Sequence, residues 1–188
     1  MEEQRFPQLT MEQLNDQQRP LAEKIVTFSS IAIGGPYNML LRSPVLLQRM
    51  LDVFDYLRWN TSVPLRLNEF AILIIARQWR SQVEWFAHAP IAQKAGLSPQ
   101  IIAELKTNKR PSGMAADEAV VYDFVTELTT MHKVSDETFG RARQTFSEQQ
   151  VVDLTAVAGT YVAVAMILAM ARQTVPPGKE EPFKPGEP

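Results

Sequence analysis

The stretch SQVEWFAHAP, residues 81–90, contains one of the two histidines of the chain together with a serine and a glutamate. Glu84 and His88 are four residues apart, so in a helix they share one face, and Ser81 extends the same stripe. A carboxylate beside an imidazole can fix its tautomer, raise its basicity and exchange a proton with it. The spacing therefore allows acid–base catalysis, although it is equally typical of an ordinary exposed helix pair.

A second carboxylate, Glu69, is surrounded by apolar helical neighbours, namely Leu65, Ile72 and Leu73. A carboxylate on an apolar face needs a partner or must be held neutral. Burial of this kind raises a carboxyl pKa and is typical of an acid–base residue. Two interpretations of Glu69 remain open: a catalytic carboxyl, or an ion pair with Arg66, three residues earlier.

The same three side chains, Glu69, Glu84 and His88, are acceptable metal ligands by type. However, neither HExxH nor the Glu-x-x-His motif of di-iron bundles occurs, because EWFAH has one residue too many. Metal binding is therefore an alternative hypothesis rather than the main one. A third hypothesis is a non-catalytic binding protein in which these groups form a satisfied buried polar cluster.

Three arginines, Arg42, Arg58 and Arg77, each lie beside an apolar run and could hold a substrate carboxylate with two hydrogen bonds. We expect Arg42 or Arg77 to do so. His132 is predicted at a helix C-terminus, where the helix dipole favours a cation, and we assign it no function.

Four further residues complete the predicted substrate-binding set. The segment GGPYNMLLR is predicted as a loop, and its Tyr37 and Asn38 could line a pocket. Trp85 is expected in the core or in the pocket wall, and Ser81 at the edge of the polar stripe.

The composition excludes several classes of function. The chain has 188 residues, a net charge of −2 and no cysteine. Disulfides, thiolate metal sites and cysteine nucleophiles are thereby ruled out, and no clustered basic face indicates a nucleic-acid partner. The N-terminus has no apolar leader, so we expect a cytoplasmic protein. Residues 154–171 are uncharged, and we interpret them as a buried or interfacial helix rather than a membrane span.

Helical periodicity runs through nearly the whole sequence, and no alternating strand pattern is present. We predict an all-α bundle of seven or eight helices over residues 1–172, followed by a proline-rich tail, extended or disordered, over residues 173–188. The predicted helices run from about Met11 to Ser29 (which Pro20 can break), from Pro44, over 65–79 and 83–95, from Pro99 to Lys106, over Ala115–His132 and Asp136–Phe146, and from Ser147 to about Arg172.

The segment RLNEFAILIIARQWRSQVEWFAHAPIAQKAGLSPQII resembles the core of the carboxymuconolactone decarboxylase family, which shares an all-α fold with the alkyl-hydroperoxidase D proteins. GGPYNMLLRSP and GTYVAVAMILAMA are similar to the flanking family segments. The peroxidase branch has the pattern Glu-x₁₁-Cys-x₂-Cys-x₃-His, which falls on Glu69, Ser81, Glu84 and His88. The spacing is kept while both thiols are replaced, so the resemblance is to a cysteine-less branch and thiol peroxidase chemistry is excluded.

This resemblance implies a lyase that decarboxylates a small carboxylated lactone, or a related enolisable acid, without metal or organic cofactor in aromatic catabolism. His88 would be the general acid or base, Glu84 its partner, and Glu69 an orienting or proton-sharing carboxyl. The resemblance also implies a homotrimer or homohexamer.

Overall fold

The computed structural model describes residues 4–29 and 31–184 of the chain. Within these residues it has α-helices and no strand, so the predicted all-α fold class is confirmed. The α-helices are α1 (Arg19–Val26), α2 (Pro36–Leu40), α3 (Pro44–Asp55), α4 (Leu65–Gln78), α5 (Gln82–Lys94), α6 (Pro99–Lys106), α7 (Ala116–Thr130), α8 (Asp136–Thr145) and α9 (Glu148–Ala171).

Helix α4 is the centre of the bundle. It packs against α5, α7 and α9, and every residue from Leu67 to Arg77 is buried. An apolar helix of this kind is stable only when other elements cover all of its sides. The polar side chain of Glu69 is therefore carried into the interior by the burial of its apolar neighbours.

The predicted helix from Met11 to Ser29 is wrong in its first half. A 3₁₀ turn spans Met11–Gln13, and α1 begins only at Arg19. The Asn15 side chain accepts hydrogen bonds from the backbone N–H groups of Gln17 and Gln18, which favours a turn over a helix. Proline in the first turn of α1 then sets the start of the helix.

The segment predicted as a loop contains helix α2. Gly35 has φ +56°, and a Cβ there would lie 2.8 Å from Ile31 Cδ1 and 3.0 Å from Val83 Cγ1. Glycine is therefore required both by the backbone conformation and by this close approach. Pro36 follows directly and begins the helix, which buries Tyr37 and Asn38.

Helix α3 continues directly into a π-helical turn, Tyr56–Asn60. Asp153 of α9 fixes both the start of this turn and the segment after it, since its Oδ2 atom accepts hydrogen bonds from Tyr56, Thr61 and Ser62. Burial acts to raise the pKa of Asp153, but these hydrogen bonds outweigh it and hold the pKa below its ordinary value. π-Helical turns frequently occur at functional sites.

Helix α9 has two different sides. By length and composition it could cross a membrane, with a mean hydropathy of 2.0, and 44% of that window is buried inside the protein. Its inner side packs on α2, α4, α7 and α8. Apolar side chains remain on its outer side, including Val152, Met166 and Met170.

The tail has no helix between residues 173 and 184, and the remaining residues of the predicted tail lie outside the described part of the chain. Phe183 is buried, with its ring 5.2 Å from that of Trp85 in an edge-to-face arrangement. The backbone N–H and C=O groups of Phe183 both pair with the Gln82 side chain, at 2.9 and 2.7 Å. The tail is thus held against the first turn of α5.

Candidate active site

The centre of the site is a hydrogen bond between helices α4 and α5. His88 Nδ1 lies 2.7 Å from Glu69 Oε2, and both side chains are buried. A carboxylate at this distance accepts a hydrogen bond from Nδ1–H and thereby fixes the tautomer of the ring. The other ring nitrogen, Nε2, is left available for proton transfer.

The His88 ring is further held by Tyr161 of α9. The two rings meet edge to face, with centroids 5.0 Å apart and an interplanar angle of 90°. Burial raises the pKa of Tyr161 well above its ordinary value, so the phenol stays protonated. His88 is consequently positioned by α4 on one side and by α9 on the other.

Glu84 lies one helical turn before His88 on α5. Its side chain is buried, and neither carboxyl oxygen has a hydrogen-bond partner among the described residues. Burial raises the pKa of Glu84 to about 8, and the nearby Ser81 hydroxyl opposes this only in part. At neutral pH Glu84 is therefore mainly a neutral acid, able to donate a proton.

A cavity of about 130 Å³ lies beside Glu84, His88 and Tyr161. These three residues contribute polar groups to its wall, and the rest of the wall is mostly apolar. Its complete lining consists of Phe28, Ser29, Ile31, Pro36, Tyr37, Phe54, Arg58, Trp59, Val83, Glu84, Ala87, His88, Ile91, Tyr161 and Val164.

The structure changes the pairing that the helical spacing predicts for His88. The spacing along one helix predicts Glu84 as the partner of His88. The hydrogen bond is instead made by Glu69, which is 19 residues away in sequence. The alternative partner of Glu69 is wrong as well, since Arg66 pairs with Asp117 and Glu118.

Among the predicted substrate-binding residues, Tyr37 lines the cavity, whereas Asn38 and Arg42 do not. Asn38 is fully buried and binds the backbone of Pro7 and Leu9. Arg42 donates to the carbonyl groups of Pro7 and Asn38, so both side chains anchor the N-terminal segment.

Arg77, Ser81 and Trp85 also lie outside the cavity lining. The Arg77 guanidinium lies 5.3 Å from the centre of the Phe183 ring, which also packs on Trp85. Ser81 is the residue before the first turn of α5 and is mostly buried. Arg77 and Trp85 thus belong to the contact between the tail and the start of α5, whereas the Ser81 hydroxyl lies near Glu84.

Two cavity residues are absent from the predicted site. Arg58 is one of the three candidate cations but not one of the two preferred, and Tyr161 is not singled out by the sequence. The available signal for Tyr161 is a phenol within an otherwise apolar helix, since a buried hydroxyl usually has a specific partner. No sequence pattern distinguishes Arg58 from the other two arginines, because its position depends on the π-helical turn, which the sequence does not predict.

Within the described part of the chain, no group of three or more His, Asp or Glu side chains is placed to hold a metal ion. Glu69 uses one oxygen for His88, and no hydrogen bond or ion pair joins Glu84 to either residue in residues 4–29 and 31–184. The geometry therefore gives the metal-binding alternative no support.

No protein-family model and no curated protein sequence matches this chain. It is similar in structure to the crystal structure of an alkylhydroperoxidase AhpD core, an uncharacterized peroxidase-related protein from Ralstonia eutropha JMP134. The TM-score is 0.75 at 14% sequence identity, and the match covers 90% of each chain. The chain therefore has the alkylhydroperoxidase D-like fold.

Proposed function

We propose that this chain is an acid–base enzyme that decarboxylates, or moves a proton within, a small cyclic carboxylic acid with an enolisable position. The observation that carries the proposal is the pair of different carboxyl groups beside one histidine: Glu69 is hydrogen-bonded to His88, and Glu84 is buried without such a bond among the described residues. Environments that separate two carboxyl groups in this way are typical of acid–base catalysis.

In the decarboxylation, the bond between the ring carbon and the carboxylate breaks and its electron pair stays on the ring as an enolate. CO₂ leaves, and a carbon of this enolate must then take up a proton. Glu84 supports this step because its pKa of about 8 keeps a proton available at neutral pH. The apolar wall of the cavity destabilises the charged carboxylate of the substrate and thereby favours its loss as neutral CO₂.

His88 is the second proton-transfer group. Its Nδ1 atom is held by Glu69, so Nε2 can accept or donate a proton at the cavity. A substrate that isomerises rather than decarboxylates would need both groups: one removes a proton from carbon, and the other returns a proton elsewhere. The same arrangement therefore supports lyase and isomerase chemistry.

Thiol peroxidase chemistry receives no support from this chain. The sequence contains no cysteine, and Ser81 and Glu84 occupy the positions of the two thiols in the peroxidase pattern. A serine hydroxyl and a buried carboxyl cannot form the disulfide on which that reaction depends.

The test uses 4-carboxymuconolactone and a panel of small enolisable ring carboxylates. CO₂ release and loss of the lactone absorbance report decarboxylation, while deuterium uptake from D₂O, followed by NMR, reports proton transfer at carbon. We expect His88→Ala and Glu84→Gln to reduce the rate by about 10²- to 10⁴-fold. Glu23→Gln, at an exposed glutamate of α1, is the matched control.

Full activity in both His88→Ala and Glu84→Gln would refute the assigned chemistry. A wild-type protein that neither releases CO₂ nor exchanges deuterium with any member of the panel would favour the third hypothesis, a non-catalytic binding protein.

A further inference from the structure

We propose that Arg58, together with the hydroxyl groups of Tyr37 and Tyr161, forms the carboxylate-binding end of the cavity. The substrate class that fits this end is a small single ring that bears a carboxylate. The proposal rests on the proposed function for its substrate, but the binding itself is independent of any reaction. Arg58 here takes the carboxylate-binding role predicted from the sequence for Arg42 or Arg77, neither of which lines the cavity.

Arg58 is the one arginine among the described residues that line the cavity. It lies in the π-helical turn, which turns its side chain and that of Trp59 toward the same space. The guanidinium carbon is 4.7 Å from the centre of the Trp59 ring, so the indole supports one face of the cation. The edge of the guanidinium then remains available for a planar carboxylate.

No ion pair joins Arg58 to a carboxylate within residues 4–29 and 31–184, and its Nε atom is buried without a hydrogen-bond partner there. A buried donor of this kind costs free energy until an acceptor arrives. A ligand carboxylate would supply that acceptor and the missing negative charge, and it could bind Nε and a terminal nitrogen together.

The two tyrosines add neutral donors beside this cation. Burial raises the pKa of both Tyr37 and Tyr161, while the charge of Arg58 acts on each in the opposite direction. The net rise keeps both hydroxyl groups protonated. Tyr37, Tyr161 and Arg58 all line the same cavity. Two hydroxyl donors and one guanidinium suit an anion better than a neutral or cationic ligand.

The volume of the cavity limits the size of the apolar part of the ligand. A cavity of about 130 Å³ is close to the roughly 150 Å³ known to accept benzene. Phe28, Phe54 and Val164 supply apolar wall for a ring of that size.

The experiment measures binding rather than turnover, with benzoate as the anionic probe and benzamide as its uncharged counterpart of similar shape. Isothermal titration calorimetry on the full chain gives both affinities. We expect wild type to bind benzoate more tightly than benzamide, and Arg58→Gln to weaken benzoate by about 10- to 100-fold while leaving benzamide nearly unchanged. Arg49→Gln, which removes the same charge from an exposed position of α3, is the matched control.

Arg58→Lys retains the charge without the planar fork, and it keeps the test valid if Arg58→Gln fails to fold. We expect intermediate benzoate affinity for it. Equal benzoate affinity in wild type and Arg58→Gln, or no preference of wild type for benzoate over benzamide, would overturn the proposal. Arg58-dependent benzoate binding without CO₂ release or deuterium exchange would instead sustain this inference and count against the proposed function.

Discussion

His88 Nδ1 and Glu69 Oε2 lie 2.7 Å apart, and this hydrogen bond joins the central helix α4 to the helix that carries Glu84. The bond leaves Glu69 with one oxygen that accepts no hydrogen bond from the described residues. Glu69 thus orients an imidazole, which matches the use of a second carboxylate in many histidine-based sites.

Replacement of Glu69 by glutamine tests this orienting role. The amide nitrogen of the new side chain can donate a hydrogen bond to Nδ1 of His88, which would favour the other tautomer and leave Nε2 protonated. We expect Glu69→Gln to lower the rate of substrate deuterium exchange by about 10²- to 10⁴-fold. Nitrogen-15 NMR of the imidazole reports the tautomer directly, and Glu23→Gln serves as control. An unchanged tautomer together with full activity would argue against the role.

The raised pKa of Glu84 predicts a specific pH dependence of stability. The folded-state pKa is about 8, against an ordinary value of 4.5 for glutamate in the unfolded chain. Below pH 4.5 the carboxyl is protonated in both states, and its contribution to stability is fully present. Between pH 4.5 and 8 the unfolded chain releases the proton while the folded protein retains it, so this contribution is progressively lost.

Glu84→Gln removes that titration. We therefore expect the free energy of unfolding of the variant to rise relative to wild type by a few kcal/mol between about pH 5 and pH 8. Urea unfolding of both proteins at several pH values measures the difference. A difference that stays constant across this range would show that Glu84 is not held neutral by burial.

Phe183 predicts that the tail contributes to stability. Its ring is 2% exposed and contacts Trp85, whereas Phe139 on α8 is 47% exposed. We expect Phe183→Ala to lower the free energy of unfolding by about 3 kcal/mol, and Phe139→Ala to change it by less than about 0.5 kcal/mol. Chemical unfolding monitored by tryptophan fluorescence measures both. Equal small effects would indicate that the tail does not pack as described.

The outer side of α9 predicts self-association. Residues there repeat at alternating intervals of four and three, the spacing of a helix–helix seam, and they are Val152, Ala156, Gly159, Ala163, Met166 and Met170. Because the resemblance implies a homotrimer or homohexamer, we expect a second copy of the chain to cover this surface. A Cβ at Gly159 would have nothing within 4 Å, so Gly159→Arg should disturb an interface and not the monomer.

Light scattering after gel filtration measures the mass of wild type and variant. We expect Gly159→Arg to dissociate the oligomer while its far-ultraviolet circular dichroism stays unchanged. Gly140→Arg, at another helical glycine with open space, is the control. A monomeric wild type, or an intact oligomer in Gly159→Arg, would contradict the prediction.

Local patterns predict much of the fold. Pro44 and Ser147 begin helices where the sequence places them, since proline in the first turn and a serine cap act over a few residues. The first predicted helix fails because Asn15 stabilises a turn through its side chain. Helix α2 is missed because the two glycines before Pro36 favour a loop, although Gly35 only sets the entry of the chain into the helix.

The sequence by itself determined that Glu84 and His88 share a helical face, that Glu69 lies on an apolar helix, and that no thiol is available. These properties depend on residue type and helical periodicity alone. Only the tertiary structure decided that Glu69, rather than Glu84, binds His88, because that contact joins residues of two helices. The choice of Arg58 over Arg42 and Arg77 likewise depends on a π-helical turn and on packing between distant segments, which no local pattern encodes.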